Sequence, residues 1–206
     1  MTLVKICGVN SAVAFDAAVE AGADFVGFNF FPRSPRYITL SECAALATRH
    51  AGEPARVGLL VSPTDDEITA LLDTVRLDAL QLYTTAEHAV AIRKKFGIPV
   101  WQAIGVATAA DLPRRAFVDR LLIEAKPPAD ATRPGGNAIA FDWSLLKGWS
   151  APAPWLLAGG LTPANVTNAI RATAAPGVDV SSGVERAPGV KDPALIRAFI
   201  SAAKAR

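Results

Sequence analysis

The chain has 206 residues, of which 51% are hydrophobic and 19% are charged, and its formal net charge at pH 7 is +2. Because the charges nearly balance and form no long run of one sign, they favour neither a nucleic acid nor a membrane surface as a partner. The two cysteines, Cys7 and Cys43, are too few for a disulfide framework. The sequence shows no secretory signal pattern and no uncharged apolar segment of spanning length, so we expect a cytoplasmic protein folded as one domain, 1–206.

Short apolar segments alternate along the chain with longer, alanine-rich amphipathic segments. Alternation of this kind indicates parallel strands joined by right-handed crossovers. The apolar segments are predicted strands, at Val4–Cys7, Phe25–Phe30, Arg56–Val61, Ala79–Leu82, Val100–Ile104, Arg120–Ala125, Trp155–Ala158 and Gly177–Val180. The amphipathic segments are predicted helices, at Ser11–Ala21, Ser41–His50, Asp65–Val75, Ala86–Phe96, Ala107–Arg114, Asp142–Leu146, Pro163–Ala172 and Pro193–Lys204.

Eight strand–helix units in this length predict an α/β fold, a single closed (β/α)8 TIM barrel, for which roughly 200 residues is near the lower limit. A doubly wound open sheet is the alternative architecture. That sheet usually has fewer strands, and no Gly-x-Gly-x-x-Gly sequence follows the first predicted strand. The closed barrel is therefore the predicted fold.

Several predicted helix ends carry residues that favour a boundary. Gly22 follows the first helical segment and is predicted to stop it. Ser41 is predicted as the N-cap of the second helix. Thr162 is predicted as the N-cap of the seventh, with Pro163 in the first helical position.

In such a barrel the chemistry lies at the carboxyl ends of the strands and in the loops that follow them. The longest irregular segment, Lys126 to Ala140, is rich in proline and glycine, and a loop of that length is often functional. The two histidines, His50 and His88, lie in helical segments and make no metal-ligand spacing with Cys7 or with each other. We therefore predict no metal site.

Cys7 stands at the end of the first predicted strand, directly before Gly8. A thiol can act as a general base or a nucleophile when nearby positive charge lowers its pKa. Lys5 lies two residues earlier and points to the same side of the strand. The alternative is that Cys7 is a small buried hydrophobic residue, and core packing is the prediction for Cys43, which lies inside a helical segment.

Charged residues also follow the second and sixth predicted strands. Arg33 and Arg36 lie in a loop stiffened by prolines, where an arginine can bind a carboxylate or a phosphate through paired hydrogen bonds. Glu124 ends an apolar run, and partial desolvation there can raise the pKa of a carboxylic acid so that it donates a proton. The alternatives are an exposed arginine and a surface ion pair between Glu124 and Lys126.

The last two predicted strands end in small residues that allow backbone N–H groups to approach an anion. Gly159 and Gly160 follow the seventh strand, and Ser181 and Ser182 follow the eighth. Phosphate sites in barrels are often built from these two loops. Together they favour a phosphorylated ligand.

Taken in order from residue 4 to about residue 200, these segments resemble the phosphoribosylanthranilate isomerase family. No single stretch is decisive, whereas the ordered set is highly specific. The matching stretches are Lys5–Gly8, Gly22–Tyr37, Val57–Leu59, Leu77–Leu82, Ala125–Pro128, Pro134–Asn137, Phe141–Trp143, Ala158–Leu161, Asn165–Val166, Gly177–Glu185 and Pro188–Asp192.

The resemblance implies an isomerase that converts N-(5-phosphoribosyl)anthranilate to 1-(2-carboxyphenylamino)-1-deoxyribulose 5-phosphate, an Amadori rearrangement of tryptophan biosynthesis without a cofactor. It implies a small phosphorylated substrate as the partner of a monomer or homodimer. The implied general base is Cys7, and the implied general acid is Glu124. The residues implied to bind the substrate are Lys5, Arg36, Gln81 and Asp179. Among them, Arg36 is implied to bind the anthranilate carboxylate and Asp179 to lie beside the sugar. The residues implied to bind the phosphate are Gly159, Gly160, Ser181 and Ser182.

Three positions depart from the family's usual pattern. Glu124 stands where the family acid is normally aspartate, Tyr83 replaces the histidine of a Gln-Leu-His-Gly stretch, and Ala138 stands where the loop often has glycine. These changes raise the alternative of a degenerate barrel that binds the ligand or a partner enzyme without turnover. A third hypothesis is another phosphate-binding barrel enzyme, such as a histidine-pathway sugar isomerase or indole-glycerol-phosphate synthase. Those enzymes are expected to have an aspartate at the end of the first strand or a catalytic lysine. Cys7 at the end of the first predicted strand argues against both of them.

Overall fold

The computed structural model describes residues 1–50, 52, 54–128, 135 and 141–205. Its eight parallel strands close into a barrel in chain order, with the first strand paired to both the second and the eighth. The predicted (β/α)8 barrel is confirmed, and the doubly wound sheet is wrong because β1 and β8 pair directly. The strands are β1 Leu3–Cys7, β2 Phe25–Asn29, β3 Ala55–Val61, β4 Ala79–Tyr83, β5 Val100–Val106, β6 Arg120–Ala125, β7 Trp155–Leu157 and β8 Gly177–Val180.

The described part of the chain contains six α-helices. Gly22 follows Ala21, the C-cap of the first helix, and has a positive φ of 78°, as predicted for a helix stop. Within the described ranges, no helix is long and apolar enough to cross a membrane. The helices are α1 Ala12–Glu20, α2 Leu40–Ala47, α3 Asp65–Thr74, α4 Ala86–Phe96, α5 Val166–Thr173 and α6 Pro193–Lys204.

Two of the predicted helices are wrong, because each forms only a short 3-10 turn. In the segment predicted as Ala107–Arg114, the turn covers Ala109–Asp111, and Pro113 supplies no N–H to continue it. The segment predicted as Asp142–Leu146 forms a turn at Trp143–Leu146, which Gly148 follows with a positive φ of 76°. The crossover after β5 therefore lacks a full α-helix, as do the described residues of the crossover after β6.

Two predicted N-caps are also wrong. The cap of α2 is Thr39 rather than Ser41, because Thr39 and Glu42 exchange the hydrogen bonds of a capping box. The N-cap position of α5 is Asn165 rather than Thr162. Asn165 accepts from the N–H of Thr162 at 2.8 Å and donates to the carbonyl of Gly160 at 2.9 Å, which keeps Pro163 in a turn before the helix.

A small antiparallel hairpin follows β8 and was not predicted. Its strands are β9, Glu185–Ala187, and β10, Val190–Lys191. Gly189 between them has a φ of 80°, and a Cβ at Gly189 would collide with the carbonyl oxygen of Pro35. The hairpin therefore packs closely against the loop that follows β2.

The interior of the barrel changes from packed to polar along its axis. Apolar side chains, including Val57, Leu122 and Leu156, fill the inside of the barrel. At the amino-terminal end, the Arg120 guanidinium lies 5.2 Å from the ring centre of Phe25 and 4.9 Å from that of Trp101. This end is closed by side chains, so the polar residues at the carboxyl ends of the strands form the open end.

Candidate active site

A pocket opens at the carboxyl ends of the strands and contains most of the predicted site residues. Arg33 lies exposed outside it. Lys5 and Gln81 are fully buried beside the pocket rather than on its wall. The predicted residues that line the pocket are Cys7, Arg36, Glu124, Gly159, Gly160, Asp179, Ser181 and Ser182.

Lys5, Cys7 and Asp179 form one buried cluster at the pocket wall, with Lys5 behind the other two. The Lys5 ammonium donates to Asp179 Oδ1 at 2.7 Å, with the lysine fully buried. Gly27 of β2 pairs in register with Cys7, and a Cβ there would lie 3.0 Å from both Cys7 Sγ and Lys5 Nζ. The absence of a side chain at Gly27 therefore lets the ammonium and the thiol approach each other.

The charges around Cys7 act in opposite directions on its pKa. Burial raises the pKa of the thiol, and the Lys5 ammonium opposes that rise by its charge and its hydrogen bond. Asp179 raises the pKa further and Lys191 lowers it, and the net pKa lies above the ordinary value. Cys7 is thus mainly a neutral thiol at neutral pH, and the two lysines favour its ionised form.

Glu124 is a buried acid at the pocket wall. Its exposed fraction is 6%, while Lys126 is exposed, so the alternative of a surface ion pair between them is wrong. Burial raises the pKa of Glu124 to about 8, against a hydrogen bond from Tyr83 that lowers it. Asp179 raises the pKa and Lys5 lowers it. The carboxyl group is therefore mostly protonated at neutral pH and able to donate a proton.

Arg36 is held at the pocket by side chains from two loops. Ser34 Oγ accepts from the backbone N–H of Arg36 at 3.2 Å and from Asn29 Nδ2 at 3.1 Å. The guanidinium donates from Nε and one terminal nitrogen to the two carboxylate oxygens of Glu185, at 2.7 and 2.9 Å. The paired geometry fixes the plane of the guanidinium.

Glu185 and Lys191 adjoin the site through Arg36 and Ser181, and neither was predicted from the sequence as a functional residue. Lys191 Nζ donates to Glu185 Oε1 at 2.7 Å and to the carbonyl of Ser181 at 2.9 Å, and both side chains are buried. Burial raises the pKa of Glu185, but hydrogen bonds and charge from Arg36 and Lys191 outweigh it and hold the net pKa below its ordinary value. Pro188 and Gly189 signal a turn, which could have indicated that these two charges approach each other.

Replacing Glu185 by glutamine is expected to lower the free energy of unfolding by about 3–5 kcal/mol, because Arg36 and Lys191 would remain buried without their carboxylate. Urea unfolding at pH 7 measures this change. Glu87→Gln is the control, since Glu87 is exposed on α4 and should change stability by less than about 1 kcal/mol. Equal stability changes in the two variants would contradict the importance of the buried network.

The loops after β7 and β8 lie against each other and form a cradle of backbone groups. Gly159 and Gly160 have φ values of 86° and 65°, and a Cβ at Gly183 would collide with the carbonyl of Leu161. Among the described residues, no hydrogen bond uses the N–H groups of Gly160 and Gly183. This cradle can bind an anion through its backbone.

The contacts of the Ser181 and Gln81 side chains indicate what each can do in the site. Ser181 Oγ donates to the carbonyl of Cys7 at 3.1 Å, so its hydroxyl joins β1 to β8. Both amide atoms of Gln81 are buried without a hydrogen-bond partner in the described part of the chain. A buried amide in that state favours a position near a polar ligand or an ordered water molecule.

The two histidines and Cys43 lie away from the pocket. His50 bonds to Asp16 and His88 to Thr84, and the described residues contain no group of three His, Cys, Asp or Glu side chains able to hold a metal. Cys43 is fully buried in the core, as predicted. Of the predicted functional loop, 129–134 and 136–140 lie outside the described residues, and with them Pro134, Asn137 and Ala138.

The barrel and its pocket define an enzyme site with a thiol, a protonated carboxyl group and an anion cradle at one mouth. The sequence model of the family described as N-(5'phosphoribosyl)anthranilate (PRA) isomerase matches residues 4–202. The N-(5'-phosphoribosyl)anthranilate isomerase of Acidiphilium cryptum is 56% identical over the full length of both chains. That of Paramagnetospirillum magneticum is 52% identical over 98% of this chain and 96% of its own.

Solved structures of this family are similar along the whole chain. Phosphoribosyl anthranilate isomerase from Thermotoga maritima has a TM-score of 0.87 and 36% identity, over 99% of each chain. A phosphoribosyl anthranilate isomerase in complex with reduced 1-(o-carboxyphenylamino)-1-deoxyribulose 5-phosphate has a TM-score of 0.85 and 34% identity, also over 99% of each chain. The chain belongs to the N-(5'-phosphoribosyl)anthranilate isomerase family. It is an isomerase of tryptophan biosynthesis.

Proposed function

We propose that the chain converts N-(5'-phosphoribosyl)anthranilate to 1-(2-carboxyphenylamino)-1-deoxyribulose 5-phosphate, with Glu124 as general acid and Cys7 as general base. The observation that carries this assignment is that a protonated carboxyl group and a thiol next to an ammonium line the same pocket. Acid and base on different strands suit a reaction that protonates one atom of a sugar and deprotonates another.

The first step is protonation of the ribose ring oxygen by Glu124. This opens the ring and leaves an iminium ion at C1, with the Glu124 carboxylate as the other product. A pKa of about 8 suits the acid, because the group is protonated at neutral pH and still donates readily.

The second step is removal of the C2 proton by the thiolate of Cys7. The electrons of the C–H bond neutralise the iminium and give an enolamine, which tautomerises to the ketone product. Lys5 lies beside the sulfur and stabilises the thiolate form, and Asp179 holds Lys5 in place through its 2.7 Å contact.

The remaining predicted residues bind the two ends of the substrate. Arg36 is oriented by Glu185 and contacts the anthranilate carboxylate. The cradle made by Gly159, Gly160, Ser181 and Ser182 binds the phosphate through backbone N–H groups. Lys5, Gln81 and Asp179 complete the polar surroundings of the sugar.

We expect a cytoplasmic protein that folds as one domain over 1–206, acts as a monomer or a homodimer, and needs no cofactor. Its partner is a small phosphorylated molecule rather than a nucleic acid or a membrane. The buried position and raised pKa of Glu124 favour an active enzyme over the alternative of a barrel that binds its ligand without conversion.

Two measurements test the function directly. Purified protein should consume N-(5'-phosphoribosyl)anthranilate, followed by loss of its fluorescence, and the gene should rescue a tryptophan-requiring strain that lacks this step. Tight binding of the reduced product analogue without any conversion would contradict the proposal and support a binding protein.

A further inference from the structure

The two changed residues of the pocket wall, Tyr83 and Glu124, are in contact with each other. Tyr83 ends β4, Glu124 lies near the end of β6, and both line the pocket. The Tyr83 hydroxyl and a Glu124 carboxyl oxygen lie near each other, because a Cβ at Gly135 would collide with Tyr83 Oη and would lie 2.9 Å from Glu124 Oε1. Hydrogen bonding from Tyr83 lowers the pKa of Glu124. These are the positions where the family pattern has histidine and aspartate, so the two departures belong to one local arrangement.

The space around this pair leaves little freedom to either side chain. β5 lies between β4 and β6, and its residue in register with Glu124 is Gly105. On the outer side, a Cβ at Gly135 would lie 2.8 Å from Tyr83 Cζ and 2.9 Å from Glu124 Oε1. The backbone at Gly135 therefore packs directly on both groups.

The direction of the hydrogen bond follows from the protonation of Tyr83. Burial, followed by the nearby charge of Glu124, raises the pKa of Tyr83 well above its ordinary value, so the phenol keeps its proton and donates. A carboxylic acid accepts such a bond most readily on its carbonyl oxygen. The acidic proton of Glu124 is then carried by the other oxygen.

We propose that Tyr83 is the positioning residue of the acid, and that its hydroxyl orients the Glu124 carboxyl group so that the proton-bearing oxygen faces the substrate. This inference rests on the proposed function, because it assigns Glu124 the acid role. Tyr83 acts through Glu124 and exchanges no proton with the substrate.

The test is Tyr83→Phe, which removes only the hydroxyl, with Tyr37→Phe as the matched control. Tyr37 is the other tyrosine of the chain and is 42% exposed. We expect Tyr83→Phe to lower kcat by about ten- to a hundredfold, because a small misplacement of the acid is costly. KM should change less than about twofold, and Tyr37→Phe should match the wild type.

A second readout separates positioning from a general structural defect. Carboxyl NMR of 13C-labelled glutamate, with Glu124 assigned by its absence in Glu124→Gln, gives the pKa of Glu124. Loss of a hydrogen bond that favours the ionised form should raise that pKa by about one unit. An unchanged pKa together with wild-type kcat in Tyr83→Phe would overturn the inference.

A double variant distinguishes failure of this inference from failure of the proposed function. If Tyr83 acts only through Glu124, then Glu124→Gln/Tyr83→Phe should be no less active than Glu124→Gln alone. Additive losses would overturn the positioning role. Full activity of Glu124→Gln would overturn both the proposed acid and this inference, whereas an inactive Glu124→Gln with a fully active Tyr83→Phe would overturn this inference alone.

Discussion

Replacing Glu124 by glutamine is expected to lower kcat by about 10²–10⁴-fold while the protein remains folded. Glutamine keeps the size and polarity of the side chain but has no proton to give to the ring oxygen. Steady-state turnover of N-(5'-phosphoribosyl)anthranilate at pH 7.5 measures the loss. Glu67→Gln would be a poor control because Glu67 caps α3, and exposed Glu87→Gln is the matched variant. Full activity in Glu124→Gln would remove this carboxyl group from the mechanism.

The same substitution should change stability in a way that depends on pH. The folded pKa of about 8 lies above the unfolded value of about 4.3, so between these values the folded chain holds a proton that the unfolded chain has released. Ionisation of the unfolded chain therefore lowers the wild-type free energy of unfolding as pH rises from about 4 to about 8.

Glutamine has no such ionisation, so the stability of Glu124→Gln relative to the wild type should increase with pH across this window. The increase should be on the order of 1 kcal/mol per pH unit and should level off above about pH 8. Urea unfolding of both proteins at pH 5, 6.5 and 8 measures the difference. A difference that stays constant with pH would show that Glu124 is not buried as an acid.

Replacing Cys7 by alanine is expected to lower kcat by about 10²–10⁴-fold, because the methyl group cannot accept the C2 proton that the thiolate is proposed to remove. Cys7→Ser should be similarly inactive, since a hydroxyl is a far weaker acid than a thiol and forms almost no anion at neutral pH. Single-turnover conversion and steady-state kinetics measure the effect.

Cys43 provides the control for this variant. It is also a buried cysteine, but it lies on the buried face of α2, and burial raises its pKa to about 12. Cys43→Ala should cost stability through a small cavity while the folded enzyme keeps near wild-type kcat. If Cys7→Ala retained activity within about tenfold of the wild type, the thiol would not be the base.

Much of the fold could be predicted because each strand is a short apolar run, and all eight predicted strands lie within two residues of the observed ones. The failures have local causes. Pro113 and the side chain of Asp111 restrict the crossover after β5 to one 3-10 turn. The N-cap of α2 was misplaced because Ser41 and Thr39 are both good caps, and only Thr39 can pair with Glu42 three residues later.

Site residues at the ends of strands could be predicted from the sequence, whereas site residues brought together by contacts between loops could not. A barrel brings the ends of β1, β6 and β8 to one mouth, so Cys7, Glu124 and Asp179 could be placed together from the alternation alone. The bonds from Glu185 to Arg36 and Lys191 depend on an antiparallel hairpin outside that alternation. The contact of Tyr83 with Glu124 passes over a neighbouring strand, and nothing in the sequence between them signals it.

The bond between Lys5 and Asp179 joins residues 174 positions apart. When only the first half of the chain has been synthesised, the Lys5 ammonium group is present but the Asp179 carboxylate that balances its charge has not yet been made. Burying that ammonium alone would be costly, so the partly synthesised chain gains little by closing around it. During synthesis, the active site should therefore form only after β8 has left the ribosome. Fragments that end before Asp179 should remain loosely folded.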